Sequence, residues 1–510
     1  GIRWINEGKH SGLKIFNGIL KQGDARNNQD YLAGENMLRP DPERKKVLAK
    51  NSNRGFSNTE ISGQKGVEIA GVTVEYHFPQ TWGMRFDDAY GVYDIHHNVF
   101  LDKGNQMFDR HGAGGARSLG FSGLDKGKLN DRGNQLKVHH NLIKRTRQNA
   151  INVAQEVYSN EIYVDSWVVN SFAVQPSREN GLVYDNKIFL TGYYACGILW
   201  ADRNLTVRDN FIHMESVRTM INPPNEGRRL IETWGEQDVL AGMRVTNYGK
   251  GGQERENLSY ENNIILGRSR KGAEMRGTEF FSDYSVKNLA FKNNIVKVMA
   301  TDTLTTNAAC VDTQGAFNDR STHLPLYYKN SELISNICNI RFGDEYGQGS
   351  NHQFINCTLT KVGDNPNYHT LVFDGGNSVF NHILLDCEFK NGAKYNDVYW
   401  RDTHSLSNYK IQWTLTLNTN PGAQVSILDK NGDAAFSGTV GSKGTLSLPL
   451  TQSIIRPVEW SPGGKEKPVE HKLLYQEEVL WPYTVRVEYN GKEKTKTFEM
   501  TQANQLNMLF

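Results

Sequence analysis

The stretch Val138-His139-His140-Asn141-Leu142-Ile143 decides the fold. Apolar and polar residues alternate up to the Asn, and a new apolar residue follows it directly, which is the pattern of a short strand, a tight turn and a second strand. Asn suits such a turn because it tolerates the left-handed backbone conformation and because stacked Asn amides can hydrogen-bond to one another. The phrase therefore predicts two strands joined at an Asn.

The same phrase recurs along the chain. It closes on Asn98, Asn141, Asn186, Asn210, Asn263 and Asn294. The intervals correspond to one or two repeats of about 22–25 residues plus insertions, which is the length that three short strands and their turns require. We therefore predict an all-β fold, a right-handed parallel β-helix solenoid, in which these Asn residues are structural and not catalytic.

After about residue 410 the pattern changes. Alternating residues in 413–417 lead into later turns at 429–432 and at Asn490-Gly491, which is typical of antiparallel hairpins. We predict two domains, a β-helix over residues 1–410 that carries the catalytic site and a small antiparallel β-sandwich accessory domain over residues 411–510.

Composition excludes several classes of protein. The 510 residues include 58 basic and 56 acidic side chains, a net charge of +2, so nothing indicates nucleic acid as a partner. No apolar run approaches the ~20 residues of a membrane span. The five Cys are expected to be buried thiols, with no metal site. We expect a secreted, periplasmic or cell-surface monomer whose leader has been removed before Gly1.

Charged residues recur at one place in the repeat, shortly after an apolar residue that we expect to face the core. The residues in this register are Asp87, Asp88, Asp109, Arg110, His111, Gln155, Glu156, Arg178, Glu179 and Asp202, and Arg85 lies just before Phe86. Alignment of Phe86 with Phe108 predicts that Asp87 and Asp109 lie one coil apart, with carboxyl groups about 5 Å from each other.

Two neighbouring carboxylates suit the acid and the base or nucleophile of a glycosidase. The predicted catalytic residues are Asp87, Asp88, Asp109, His111 and Glu156. The Asp87–Asp109 pair would favour retention of configuration, whereas a pair with Glu156 across more coils would favour inversion. An alternative interpretation is that such Asp residues cap backbone amides or bind a structural cation at the corners.

The other residues of the register are candidates for substrate binding. Guanidinium groups offer a planar fork of donors to sugar carboxylates, sulfates or hydroxyls. Exposed indole rings make flat platforms for sugar faces. The predicted substrate-binding residues are Arg85, Arg110, Gln155, Arg178, Glu179, Trp200, Asp202 and Trp234.

Through its Asn-closed coils, the chain resembles the pectin-lyase-like superfamily of right-handed parallel β-helices over residues 1–410. The resemblance implies carbohydrate-active bacterial relatives. Asp87-Asp88 and His111-Gly112 match two polygalacturonase elements, but the chain has no Arg-Ile-Lys element, which argues against a pectin-specific hydrolase. The tail from residue 411 resembles transthyretin-like or carboxypeptidase-regulatory-like modules.

We therefore expect a glycoside hydrolase that acts on a polysaccharide or oligosaccharide without a cofactor. One alternative is a polysaccharide lyase, with Ca²⁺ as a possible aid and with a basic side chain that removes the proton α to a uronate carboxylate. The candidates for that base are Lys144, Arg145, Arg147, Arg110 and His111. The other alternative is a non-catalytic glycan-binding or adhesive β-helix.

Overall fold

The structure is a computed structural model. It describes residues 2–5, 11–22, 57–77, 81–104, 116–122, 135–166, 171–192, 195–199, 201–216, 239–247, 255–270, 273–282, 286–314, 326–343, 351–373, 381–400, 407–458 and 475–510. In these ranges every regular element is a β-strand, so the predicted all-β class is confirmed. The same ranges contain no helix that is long and apolar enough to cross a membrane.

The strands are short and follow one another closely. Up to residue 314 they are β1 (Ile2–Ile5), β2 (Ser11–Lys21), β3 (Thr59–Ser62), β4 (Lys65–Tyr76), β5 (Trp82–Asp87), β6 (Tyr90–His96), β7 (Val99–Asp102), β8 (Arg117–Ser122), β9 (Gln135–His139), β10 (Leu142–Thr146), β11 (Asn149–Ala154), β12 (Glu156–Tyr158), β13 (Glu161–Ser166), β14 (Phe172–Pro176), β15 (Leu182–Tyr184), β16 (Lys187–Gly192), β17 (Ala195–Ile198), β18 (Arg203–Arg208), β19 (Phe211–Ser216), β20 (Val239–Asn247), β21 (Arg255–Glu261), β22 (Ile264–Ser269), β23 (Glu274–Ser282), β24 (Val286–Lys292), β25 (Ile295–Ala300) and β26 (Ala308–Gln314).

The described strands after residue 314 are numbered β27 to β43. They are β27 (Tyr327–Lys329), β28 (Glu332–Ser335), β29 (Cys338–Phe342), β30 (Gln353–Ile355), β31 (Thr358–Lys361), β32 (His369–Phe373), β33 (His382–Leu385), β34 (Glu388–Lys390), β35 (Val398–Trp400), β36 (Tyr409–Asn418), β37 (Gln424–Leu428), β38 (Ala434–Thr439), β39 (Thr445–Pro457), β40 (Tyr475–Val479), β41 (Tyr483–Tyr489), β42 (Lys492–Phe498) and β43 (Asn504–Asn507).

The chain forms two compact units. The first comprises residues 1–312, 334–338 and 362–368, and the second comprises residues 313–333, 339–361 and 369–510. The predicted boundary at residue 410 separates parallel from antiparallel strand pairing and not two compact units. It therefore stays a prediction.

From β5 to β25, the strands of the first unit recur in groups of three, and each strand pairs in parallel with the strand three positions away. The first ladder is β5-β8-β11-β14-β17-β20-β23, the second is β6-β9-β12-β15-β18-β21-β24, and the third is β7-β10-β13-β16-β19-β22-β25. Long parallel sheets are therefore present, as the repeated phrase predicts.

Alternation along each strand places apolar side chains in the core. In the second ladder, Ile95, Val138, Val157 and Val183 are fully buried and stand in register on successive strands. Their neighbours along each strand are partly exposed, so one face packs inward and the other carries polar groups.

The Asn of each phrase is buried and forms a continuous row with its counterparts. The row consists of Asn98, Asn141, Asn160, Asn186, Asn210, Asn263 and Asn294. The backbone N–H of each donates to the side-chain oxygen of the next, at 2.9–3.1 Å. The predicted stacking of amides is confirmed, and Asn160 is an additional member.

The prediction that the Asn itself adopts the left-handed conformation is wrong. The structure places this conformation at the residue before the Asn. Its φ lies between 51° and 58° at His97, His140, Ser159, Asp185, Asp209, Asn262 and Asn293. The Asn amide stays available for the buried row because the preceding residue makes the sharp bend.

The second unit contains both kinds of pairing. β27, β30, β33 and β36 pair in parallel, but β36 also pairs antiparallel with β39. A four-stranded sheet in the order β38-β37-β41-β42 is antiparallel, and its apolar cluster includes Val425, Ile427 and Val485. The small antiparallel sheet near the C-terminus is therefore present. All five Cys are buried free thiols, as predicted.

Candidate functional site

The predicted catalytic residue Asp87 lies at the end of β5, in contact with Arg85. The Arg85 Nε donates to Asp87 Oδ1 at 3.0 Å and lies 2.9 Å from Oδ2. Both side chains remain partly open to solvent, and Asp88 is exposed in a left-handed turn with φ 49°. The Asp87 carboxyl group is therefore presented at the surface and held by a guanidinium.

The neighbour of Asp87 in the next strand of the first ladder is Ser122. β5 pairs with β8 in a register that places Phe86 beside Phe121 and Asp87 beside Ser122. The sequence-based alignment had matched Phe86 with Phe108 instead. The candidates Asp109, Arg110, His111, Trp200 and Trp234 lie outside the described residues, so the Asp87–Asp109 pair stays a prediction.

Asp87 is the last residue of β5, and the other described candidates lie in or beside the turns that follow later strands of the first ladder. Gln155 follows β11, Arg178 and Glu179 follow β14, and Asp202 follows β17, whereas Glu156 is the first residue of β12. We call this set of turns, each of which leads from a first-ladder strand to the next second-ladder strand, the turn edge. Backbone hydrogen bonds connect its levels, among them Leu182 N–H to Gln155 O at 2.7 Å and Asp202 N–H to Arg178 O at 2.6 Å.

The candidate side chains in or beside the turn edge differ in their hydrogen-bond and ion-pair partners. Gln155 accepts a hydrogen bond from the Leu136 backbone N–H at 3.2 Å, which is a structural role. Asp202 lies 3.5 Å from the nearly buried guanidinium of Arg255. Glu156 is partly exposed and has two polar partners, since it accepts from the Tyr184 hydroxyl at 3.2 Å and lies 3.6 Å from Lys137.

A row of stacked rings on the second ladder was missed by the sequence-based reasoning. His96, His139, Tyr158 and Tyr184 stand in register, with ring centroids 5.0, 4.5 and 4.8 Å apart and nearly parallel planes. The Arg208 guanidinium lies 4.6 Å from the Tyr184 ring. Because each face is covered by the next ring, the row presents its polar edges outward and offers no flat platform between its ends.

Burial and neighbouring charge set the protonation of this row. Burial raises the pKa of Tyr184 to about 12, and the nearby carboxylate of Glu156 adds to the rise. Burial also lowers the pKa of His139, although Asp94 works in the opposite direction. Each member of the row is two residues before a buried Asn, a spacing that can be read from the sequence.

One lyase candidate is excluded as a base that contacts substrate. Arg147 is buried and its Nε donates to both oxygens of the buried Asp102, at 3.0 and 2.9 Å. Arg145 donates to the Gly104 carbonyl at 3.0 Å, whereas Lys144 is exposed. Within the described part of the chain, no group of three or more His, Cys, Asp or Glu side chains converges as a metal site.

Comparisons with known proteins assign the chain to no family. No protein-family model matches the chain, and neither the curated proteins nor the solved structures contain a significant match.

Proposed function

We propose that this chain is a secreted bacterial glycoside hydrolase with a right-handed parallel β-helix fold of the pectin-lyase-like kind. Three parallel ladders that advance by three strands at each step are the pairing pattern of such a helix. The right-handed sense follows from the strong preference of parallel strand connections for that hand. The C-terminal antiparallel strands would be a β-sandwich accessory domain.

The observation that carries the enzymatic proposal is that Asp87 and Glu156 both lie beside the turn edge. Asp87 is the last residue of β5, and Glu156 is the first residue of β12. They are not in register with each other, since Asp87 stands beside Ser122, whereas Glu156 stands beside Lys137 and Leu182. Both side chains are partly exposed, as carboxylates that act on a polysaccharide must be.

The partners of the two carboxylates suggest their roles. Asp87, which is held by Arg85 at 2.9 Å, would be the base. Glu156, which lies 3.6 Å from Lys137 and accepts from the Tyr184 hydroxyl, would be the proton donor to the leaving oxygen. Arg178 and Glu179, on the next level, would contact neighbouring sugar hydroxyls.

The test is a screen of polysaccharides for new reducing ends, followed by Asp87→Asn and Glu156→Gln on any substrate that is cleaved. Each change should lower kcat/KM by at least about 10²-fold. Glu161→Gln, on the third ladder, is the matched control and should retain activity. NMR of the first product would show whether the anomeric configuration is inverted or retained. Full activity in both variants would refute this assignment.

A second candidate is a non-catalytic glycan-binding protein. It is favoured by the pairing of turn-edge charges with one another, since Arg85 binds Asp87 and Arg255 lies beside Asp202. In that case no substrate would yield reducing ends, and Asp87→Asn would leave glycan binding unchanged. A lyase would instead give unsaturated products that absorb in the ultraviolet.

A further inference from the structure

Two adjacent levels of the second ladder end in a His-His pair. His96 and His97 close one level, and His139 and His140 close the next. The rings stack across the levels, His96 on His139 with centroids 5.0 Å apart and His97 on His140 with centroids 5.1 Å apart. The array therefore contains two equivalent levels of two imidazoles each.

Within each level the two Nδ1 atoms face each other. They are 2.8 Å apart in His96 and His97, and 2.9 Å apart in His139 and His140. His97 and His140 are exposed to solvent. One proton shared between two nitrogens accounts for this contact, and a divalent ion could replace that proton.

Carboxylates lie at the opposite nitrogen of each inner ring. His139 Nε2 is 2.8 Å from Asp94 Oδ1, and His96 Nε2 is 3.7 Å from Glu68 Oε1. The hydrogen bond to Asp94 favours the His139 tautomer with its proton on Nε2 and leaves the lone pair on Nδ1, whereas Glu68 is beyond hydrogen-bond distance of His96. Histidines that bind metals in proteins almost always have such a carboxylate, carbonyl or water at the other nitrogen.

The distance between the two Nδ1 atoms determines which coordination geometry of a metal ion fits between them. With metal–nitrogen bonds of about 2.0–2.1 Å, two nitrogens 2.8–2.9 Å apart subtend an angle of about 90°. A tetrahedral ion such as Zn²⁺ would need them about 3.4 Å apart. Nitrogen ligands at right angles are typical of square-planar or tetragonal Cu²⁺ and Ni²⁺.

One ion cannot serve both levels. With levels 5.0 Å apart and a nitrogen pair of 2.8 Å on each, the centre of the four atoms is about 2.9 Å from each nitrogen. That distance exceeds a bond length by nearly 1 Å. Two ions about 5 Å apart fit instead, each with open positions towards solvent.

We propose that the two His-His pairs form two adjacent bidentate sites for Cu²⁺ or Ni²⁺, one formed by His96 and His97 and the other by His139 and His140. Asp94 and Glu68 orient the inner rings and do not bind the ion. The sites lie on the second ladder and are independent of the hydrolase proposal.

The test is titration of the chelator-treated full chain with Cu²⁺ alone, read by calorimetry and by electron paramagnetic resonance. The wild type should bind two more ions than the double variant His97→Asn/His140→Asn, with nitrogen hyperfine structure. At two equivalents the spectrum should show the dipolar broadening of two ions about 5 Å apart. Asp94→Asn should weaken one site by about 10–100-fold.

The substitutions are chosen to preserve the fold. Asn occupies the same turn position at Asn262 and Asn293, with φ of 55° and 54°, so it is compatible with the backbone at His97 and His140. Either single variant should lose one ion and the dipolar broadening. His213→Asn, on the third ladder, is the matched control. Equal copper binding by the wild type and the double variant, or a single ion shared by both levels, would overturn the proposal.

Discussion

At the scale of single residues, His382 lies inside the second unit against aromatic rings. Its ring centroid is 4.0 Å from that of Phe342 and 5.3 Å from that of His352. Neither ring nitrogen of His382 has a hydrogen-bond partner among the described residues. Burial, and secondarily His352, lowers the pKa of His382 well below its usual value.

His382 should make the second unit sensitive to acid. The unfolded chain takes up a proton near pH 6.5, whereas the folded chain does not, so the free energy of unfolding should fall as the pH drops below that value. The loss should be up to about 1.4 kcal/mol per pH unit. Urea unfolding at pH 7.5 to 5.0 should show a shallower pH dependence in His382→Leu than in the wild type. Parallel profiles for the two proteins would contradict this.

The residues of the candidate site could be predicted from the sequence more easily than their contact partners. Asp87 and Glu156 were recognisable as candidates from their position in the repeat. Their partners Arg85, Tyr184 and Lys137 could not all be predicted, because Tyr184 and Lys137 belong to other levels of the ladder. Contacts across levels depend on register, which sequence spacing does not give.

At the scale of elements, the buried Asn row links successive turns of the first unit. The Asn186 amide donates to Asn210 Oδ1 and to the backbone oxygens of Val157 and Tyr184, each at 3.0 Å. Its oxygen accepts from the backbone N–H of Asn160 at 3.1 Å. The side chain thus satisfies buried groups on three levels, and these would lose their partner if it were removed.

Asn186→Ala should therefore be strongly destabilising for a single-residue change. Buried polar groups without a partner cost about 1–3 kcal/mol, so we expect a loss of at least about 2 kcal/mol in the free energy of unfolding. Lys187→Ala, at the exposed next residue, should change it by less than about 0.5 kcal/mol. Chemical denaturation of the three proteins measures both values. A change in Asn186→Ala no larger than that in Lys187→Ala would show that the row contributes little.

The turns also explain a partly wrong expectation. We assigned the left-handed conformation to the Asn because this residue tolerates it. The structure places it one residue earlier, at residues as different as His140, Ser159 and Asp185. The Asn is required because its buried amide hydrogen-bonds to neighbouring levels of the ladder. These hydrogen bonds exist only in the tertiary structure, where another level lies beside the Asn.

At the scale of the whole molecule, the C-terminal antiparallel strands and the parallel ladders of the first unit each bury apolar side chains of their own. The cluster of the C-terminal antiparallel strands is formed by residues from Leu415 onwards and includes Ile427 and Val485. The first unit buries its own rows of Val and Ile between parallel ladders. Local openings should therefore differ between the two regions.

Ile427→Ala should destabilise the C-terminal strands selectively. Ile427 is fully buried, and its truncation should cost about 2–5 kcal/mol. Hydrogen exchange should show lower protection of backbone amides in β37 and β41, with the amides of β13 and β16 unchanged. A uniform loss of protection in all four strands would show instead that the molecule unfolds as one cooperative unit.

The sequence by itself determined the kind of structure. The Asn-closed phrase specified short strands and buried turns, and alternation in 413–428 specified the later antiparallel strands. These features are local, since they depend on side-chain period and turn chemistry within a few residues. The same local pattern placed the described candidates Asp87, Glu156 and Arg178 in or beside the turns between the first and second ladders.

Only the tertiary structure decided which residues stand beside each other on successive levels. Sequence spacing matched Phe86 with Phe108, but Phe86 stacks on Phe121 at 5.0 Å and both rings pack against Tyr93, at 5.5 and 5.7 Å. Insertions of different length separate the strands, so the interval between levels varies along the chain. Packing of the buried rings sets the register, and the register decides which polar groups meet at the surface.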